Sequence, residues 1–316
     1  MSASQRSYSM HIDDLVNSLN LKRSFIKKHF EFEPSDGKPS IVSVNSLKEF
    51  LIEKGVSFEP KVISFINMRG GIGKTTGTVS VGTRASQYGF KTAILDLDSQ
   101  ASATLALNMV PEDDDPVFYD IWQKPDAMVP GSLRSISNQL SILPSSLENG
   151  LLDSSMVSPI SQKKGVKNVT DVIKSLGFDR IVIDAPPSIG AAVISAICAS
   201  DEIVIPVGSD PFSIKGLEMT MAEIESICET FQIGLPKVHI LYSRYDRREK
   251  ISETTLEYLR NRYPDQLLDV LIRTSTEFSK AFTDQETVFA RRKKSTARID
   301  YDRLTKELLH INNLKP

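Results

Sequence analysis

Around position 70 the chain gathers residue types suited to holding a phosphate: Gly70, Gly71, Ile72 and Gly73, then Lys74, Thr75 and Thr76. Glycines let backbone N–H groups approach an anion and take positive φ where the turn needs it. Lys74 is placed to reach β- and γ-phosphates, and the Thr75 hydroxyl suits Mg²⁺. The pattern departs from Gly-x-x-x-x-Gly-Lys-[Ser/Thr], because Met68 occupies the place of the first glycine. "VISFINM" (62–68) reads as a strand and a helix is expected from Lys74, the setting such a loop requires.

Carboxylates follow at two strand ends. "ILDLDSQASAT" (94–104) carries Asp96 and Asp98, which the period of two turns the same way. "DRIVIDAPPSIG" (179–190) is an apolar strand ending in Asp184, where a Walker B acid is expected. Each aspartate alone could be a turn residue or helix cap. Three of them at strand ends, together with the loop, argue for one ligand crevice.

The elements that must position these groups read as an α/β doubly wound, mostly parallel sheet. Strands are expected at 62–68, 92–98, 140–145, 180–186, 202–207, 238–245 and 269–273. Their continuous Val/Ile/Leu content suits burial on both faces. Helices are expected at 74–88, 166–176, 190–200, 214–231, 251–263 and 300–314. Residues 59–316 form this domain, and residues 1–58 form a separate small helical module ending in a linker marked by Gly55 and Pro60. Within the module "HIDDLVNSLNLKRSFIKKHFEF" reads as helix, turn, helix, with Leu15, Leu19, Phe25 and Phe30 as core. "EPSDGKPS" (33–40) is a turn or wing, and 41–55 a short strand and a helix capped by Asn45 or Ser46.

The 316 residues carry a formal net charge of −2, so any affinity for nucleic acid must come from local patches. Cys198 and Cys228 lack metal or redox spacing and read as buried thiols in a reducing compartment. The N-terminus has no apolar leader, and no window approaches the roughly 18 apolar residues a membrane span needs. A cytoplasmic protein is expected. The acidic run Glu112–Asp115 reads as a solvated loop.

Taken together, Gly-Gly-x-Gly-Lys-Thr, then Asp-x-Asp-x-Gln, then Ile-Asp-x-x-Pro resemble the deviant Walker A ATPases, and most of all the ParA partition ATPases. The resemblance covers roughly residues 60 to 312 and includes "DPFSIKGLEM" and "FTDQETVFARRKKSTARIDYDRLTKELL". It implies a weak, Mg²⁺-dependent ATPase that sandwiches two ATP molecules in a homodimer. It also implies nonspecific DNA binding, release by a ParB-like centromere-binding partner, and association with the nucleoid. Lys74 and Thr75 match the phosphate lysine and the magnesium hydroxyl. Asp98 falls where the family positions the attacking water, Asp96 and Asp184 where it supports Mg²⁺. Asp210 and Pro211 fall near its adenine contacts. The signature lysine that reaches the partner's nucleotide is replaced by Arg69. An arginine can still bridge phosphate oxygens in trans, with slower turnover or an altered dimer lifetime; a benign variant and an engineered substitution are the other readings.

Candidate DNA contacts are Arg244, Arg247, Arg248, Lys250, Arg260, Arg262 and Arg273, with the run Arg291, Arg292, Lys293 and Lys294 weighted lower. Solvated helix faces are the alternative for any one of them. The N-terminal module resembles the winged helix-turn-helix of larger plasmid partition proteins, which implies binding to its own operator and autoregulation. Lys22, Arg23, Lys27 and Lys28 lie on or near its recognition helix. A dimerisation or partner-docking role is the alternative for the module. For the whole chain the alternative is a membrane-associated positioning ATPase of the Min-like class. Leu304, Leu308 and Ile311 sit at helical spacing without Phe, Trp or a basic face, which favours packing on the core. The iron–sulfur reductases need cysteines near the aspartate motifs, and cobyrinate amidases a nucleophile motif; neither is evident.

Overall fold

The computed structural model describes residues 8–33, 40–289 and 294–311. Eight strands form one sheet: β1 Lys61–Phe65, β2 Thr92–Asp96, β3 Arg134–Ser137, β4 Leu140–Leu143, β5 Arg180–Asp184, β6 Glu202–Val207, β7 Lys237–Tyr245 and β8 Leu267–Arg273. Their order is β3-β4-β2-β5-β1-β6-β7-β8, and every neighbouring pair is parallel except β3–β4. The doubly wound, mostly parallel sheet is therefore present.

β2, β5 and β6 are buried along their whole length, which is why their sequences are continuously apolar rather than alternating. Along β5, Ile181 and Ile183 face one core with Ile203, Val166 and Leu217, while Val182 faces the other with Phe65, Val204 and Leu304. The helix Lys74–Gln87 lies directly on β1: a side chain at Gly77 would come within 2.4 Å of the Phe65 ring.

Several boundaries differ from expectation. β1 stops at Phe65 and not Met68, although Ile66 N still reaches Val204 O at 3.1 Å before the chain turns into the glycine loop. β3 was not expected, because this half-exposed edge strand lacks an apolar pattern. The helix expected from 166 starts at Pro159, where Ser158 and Ser161 cap its polar first turn. The last helix is Thr296–Leu308, with Ser295 Oγ accepting from Arg298 N at 3.2 Å.

The N-terminal helices are Ile12–Ser18, Arg23–His29 and Val44–Glu53. Leu15, Leu19 and Phe30 are buried as expected, but Phe25 is only half-buried and Ile26 takes the core position. Neither Asn45 nor Ser46 is the cap; Ser43 stands there, and Ser46 Oγ instead accepts from Glu31 N. The expected strand at 41 is reduced to isolated bridges, His11–Ile41 and Phe32–Val42. Most of the wing, 34–39, lies outside the described residues.

These helices do not hang from a free tether. Leu15, Leu47 and Val56 share one core with Ala85, Tyr88, Phe90 and Leu309 of the larger domain. Phe58 stacks on Phe90 at 3.9 Å. The fully buried Arg84 joins three segments, pairing with Asp302 at 2.6 Å and donating to Ser18 Oγ at 2.5 Å. Leu304, Leu308 and Ile311 are buried, and no helix of the described residues is long and apolar enough to cross a membrane. Cys198 is half-buried, Cys228 is buried, and both are free thiols.

Candidate functional site

The glycine loop joins β1 to the N-terminus of the helix Lys74–Gln87. Gly73 caps that helix in the left-handed region (φ 98°), and Gly71 is also left-handed (φ 74°). Lys74 is buried, with Nζ donating to Arg69 O at 2.9 Å. Burial lowers its pKa while the Asp184 and Asp98 carboxylates oppose that shift.

Parallel register sets Asp96 of β2 directly against Asp184 of β5, with Phe65 of β1 on the far side of Asp184. Asp96 is fully buried; its Oδ2 accepts from Thr104 N at 2.9 Å and Thr104 Oγ1 at 2.8 Å. Burial raises its carboxyl to about 7 against those hydrogen bonds. Asp184 is fully buried as well, and neither of its carboxylate oxygens has a hydrogen-bond partner. Burial first and Asp96 second push its pKa well above the usual carboxylate range, with the nearby Thr75 hydroxyl and then Lys74 opposing. Two adjacent fully buried carboxylates are costly unless a cation or protons neutralise them. That donor set fits a hard divalent cation.

In front of these groups lies a cleft of ≈ 640 Å³. Gly70, Gly71, Ile72, Gly73, Lys74, Thr75, Thr76 and Asp98 all line it, so the structure brings the expected loop and the second aspartate together. Asp98 is half-buried, and its Oδ1 accepts from Gln100 N at 3.0 Å. Further lining comes from the ends of β7 and β8 (Ser243, Arg244, Arg273), from the helix Glu277–Thr283 (Phe278, Phe282) and from Tyr301 of the last helix. Ser243 Oγ is buried there without a partner, a polar atom left for a ligand. Of these wall residues, sequence reasoning named only Arg244 and Arg273, and those as DNA contacts. The rule that ligands sit beyond the carboxyl ends of strands was the available signal for Ser243.

Asp210 and Pro211 are not among the residues lining the cleft. Asp210 instead caps the helix Pro211–Phe231, accepting from Ser213 N at 3.1 Å, and pairs with Arg69. Arg69 also donates to Ser213 Oγ at 2.9 Å, and its guanidinium lies 5.9 Å from the exposed Phe212 ring.

The basic candidates separate by what they already hold. Arg244, left-handed at φ 60°, donates to Gly71 O at 3.3 Å. Arg273 forks onto the buried Asp300 at 2.5 and 3.0 Å. Both line the cleft, and Arg244 is at the same time exposed to solvent. Arg248 pairs with Asp246 at 2.5 Å; Arg247, Lys250, Arg260, Arg262 and Lys294 are exposed. Lys22, Arg23, Lys27 and Lys28 are exposed too, with Arg23 paired to Asp13. Arg291, Arg292 and Lys293 lie outside the described residues.

Comparison with known proteins gives the following. Residues 60–237 match the family model AAA_31, an AAA domain. The cell division protein PomZ of Myxococcus xanthus is 28% identical over 225 residues, 71% of this chain and 70% of that one. The sporulation initiation inhibitor protein Soj of Bacillus subtilis is 27% identical over 222 residues, 70% of this chain and 87% of that one. Cobyrinic acid a,c-diamide synthase from Mycobacterium smegmatis, solved with bound ADP and magnesium, has the same fold. Its TM-score is 0.67 at 20% identity, covering 79% of this chain and 94% of that one.

Proposed function

The chain belongs to the AAA_31 family and is a ParA-type partition ATPase, and from that premise we propose that it positions a DNA cargo through an ATP-gated dimer. The observation that carries this reading is that Lys74, Thr75 and Asp98 line one cleft with the glycine loop, while the buried Asp184, outside that lining, lies close enough to Lys74 to raise its pKa. Magnesium and ADP accompany the cobyrinic acid synthase of the same fold, and the donor set here suits that pair.

In this reading the loop N–H groups from Gly70 to Thr76 and the Lys74 ammonium hold the phosphates of ATP. Thr75 would hold Mg²⁺ with Asp96 and Asp184 in support, and the bound ion would supply charge neutralisation at the phosphoryl group. Asp98 orients the attacking water. Two protomers meet face to face, and Arg69 leaves Asp210 to reach the partner's phosphates, a contact its planar fork can make with two oxygens. The aromatic Phe278, Phe282 and Tyr301 and the basic Arg244 and Arg273, which line the cleft, enclose the base.

The dimer then binds DNA without sequence preference through exposed cations such as Arg247 and Lys250. A centromere-binding partner of the ParB type stimulates hydrolysis and releases it, leaving it associated with the nucleoid in between. The N-terminal helices add operator recognition through Lys22, Arg23, Lys27 and Lys28. The buried Leu304, Leu308 and Ile311 speak against a terminal helix that lies in a lipid surface, the Min-like alternative.

Electrophoretic mobility of random-sequence duplex DNA tests the reading. Asp98→Ala, which traps ATP, is expected to shift the duplex with ATP and not with ADP, and to lose the shift as salt rises. Equal shifts with both nucleotides would contradict ATP gating.

A further inference from the structure

Three polar side chains from one short segment, Ser145, Asn149 and Asp153, reach across to the backbones of the two carboxylate loops. Ser145 Oγ donates to Asp98 O at 2.7 Å. Asn149 Nδ2 donates to Ser145 Oγ at 2.7 Å and to Asp96 O at 3.3 Å, while its Oδ1 accepts from Tyr119 N at 3.0 Å. Ser145 N donates at 2.9 Å to Thr104 Oγ1, the hydroxyl that donates to Asp96. Both Ser145 and Asn149 are buried. At the other end of the segment, Asp153 Oδ1 accepts from Ala191 N at 2.6 Å. Ala191 is the first residue of the helix Ala191–Ala199, which follows the loop after Asp184.

The chain around Asp98 is otherwise held by Leu97 N to Asp184 O at 3.0 Å, Asp98 N to Asp96 Oδ1 at 3.2 Å, Ala101 N to Asp98 O at 2.8 Å and Gln100 N to Asp98 Oδ1 at 3.0 Å. Beyond these bonds, the Asp98 carbonyl is tied to the rest of the fold through Ser145. A carboxylate that orients water must be held to a fraction of an ångström, and a misplacement of about 1 Å can cost on the order of a hundredfold in rate. Apart from the bond between Tyr119 N and Asn149 Oδ1, the bonds named here go to the two carboxylate loops, and none goes to residues 69–76, which hold phosphates in the reading above. We propose that Ser145, Asn149 and Asp153 form a clip that sets the spacing between the Asp98 loop and the loop after Asp184. They are positioning residues for hydrolysis, not for ATP binding. The inference rests on the water-positioning role of Asp98 proposed above.

Gly190 supplies an independent handle. A Cβ there would lie 2.3 Å from Asp153 Oδ1, so Gly190→Ala displaces the carboxylate without removing it. Single-turnover hydrolysis, affinity for a fluorescent ATP analogue and melting temperature are measured on full-length wild type, Asp153→Ala, Asp153→Asn, Gly190→Ala, Ser145→Ala and Asp98→Ala. Asp153→Ala and Gly190→Ala are expected to lose about tenfold in rate, the scale of a sub-ångström displacement, with affinity within about twofold. Ser145→Ala loses rate in the same way. Asp153→Asn keeps an oxygen that accepts from Ala191 N and retains most of the rate. The clip is overturned if Asp153→Ala hydrolyses at the wild-type rate, or if Asp153→Asn falls as far as Asp153→Ala. Joint loss of affinity and melting temperature in the Asp153 and Gly190 variants would overturn it too, as a purely structural role. An active Asp98→Ala would remove the premise itself; an inactive one beside unaffected clip variants would remove only the clip.

Discussion

At the residue scale, the proposed function gives binding to Lys74 and chemistry to Asp98. Lys74→Ala is expected to abolish nucleotide binding, read by fluorescence titration, whereas Asp98→Ala keeps affinity and loses turnover. Arg69 poses the sharper question, because its guanidinium is already engaged by Asp210 and Ser213. Both members of that ion pair are more than a third exposed, so the pair contributes at most about 1 kcal/mol, and a phosphate in trans can displace it. Arg69→Ala should therefore abolish ATP-dependent dimerisation while sparing ATP binding. Asp210→Ala should let the dimer form at lower ATP, while weakening the cap of the helix Pro211–Phe231 by about 1 kcal/mol. An unchanged ATP dependence in Asp210→Ala would show that the Asp210 contact does not restrain Arg69. The glycine loop and the aspartates were legible in sequence because each sits at a strand end with a fixed spacing. The destinations of Asp210, Arg244 and Arg273 were not. Their partners, Arg69, Gly71 and Asp300, come from distant parts of the chain.

At the element scale, the buried strands announced themselves by apolar runs, while β3 and the polar start of the helix Pro159–Ser175 carried no periodicity to read. Two buried ionic clusters hold the elements together away from the cleft. Arg84 and Asp302 tie the helix Lys74–Gln87 to the last helix, and removing one member of such a pair typically costs about 3–5 kcal/mol. Arg84→Ala is thus expected to lower the melting temperature of the whole chain in one cooperative transition, since the same side chain holds Ser18 of the N-terminal module. At the start of β6, burial alone would raise the Glu202 carboxyl, but His239 and Lys61, each at 2.8 Å, bring it down to about 2. Its folded pKa lies below the roughly 4.3 of an unfolded glutamate, so its stabilisation is full above that value and is lost as pH falls toward 2. Melting curves should show a shallower acid slope between these limits for Glu202→Gln than for wild type.

At the scale of the whole molecule, the helices of the module expected at 1–58 share a core with Ala85, Tyr88, Phe90 and Leu309 of the domain expected at 59–316. The division was natural, because the linker composition is local, whereas the joining residues, Tyr88, Phe90 and Leu309, come from distant parts of the chain. A shared core means that the exposed cations of the helix Arg23–His29 move with the nucleotide domain rather than independently of it. The central claim is that ATP joins two copies of this molecule, with Arg69 crossing between them. Light scattering on size-exclusion eluates tests it most directly, comparing Asp98→Ala with the Arg69→Ala/Asp98→Ala double variant in ATP and in ADP. The account predicts twice the monomer mass for Asp98→Ala in ATP alone, and monomer mass for the double variant in both nucleotides. A dimer that forms equally in ADP, or that persists in ATP without Arg69, would contradict it.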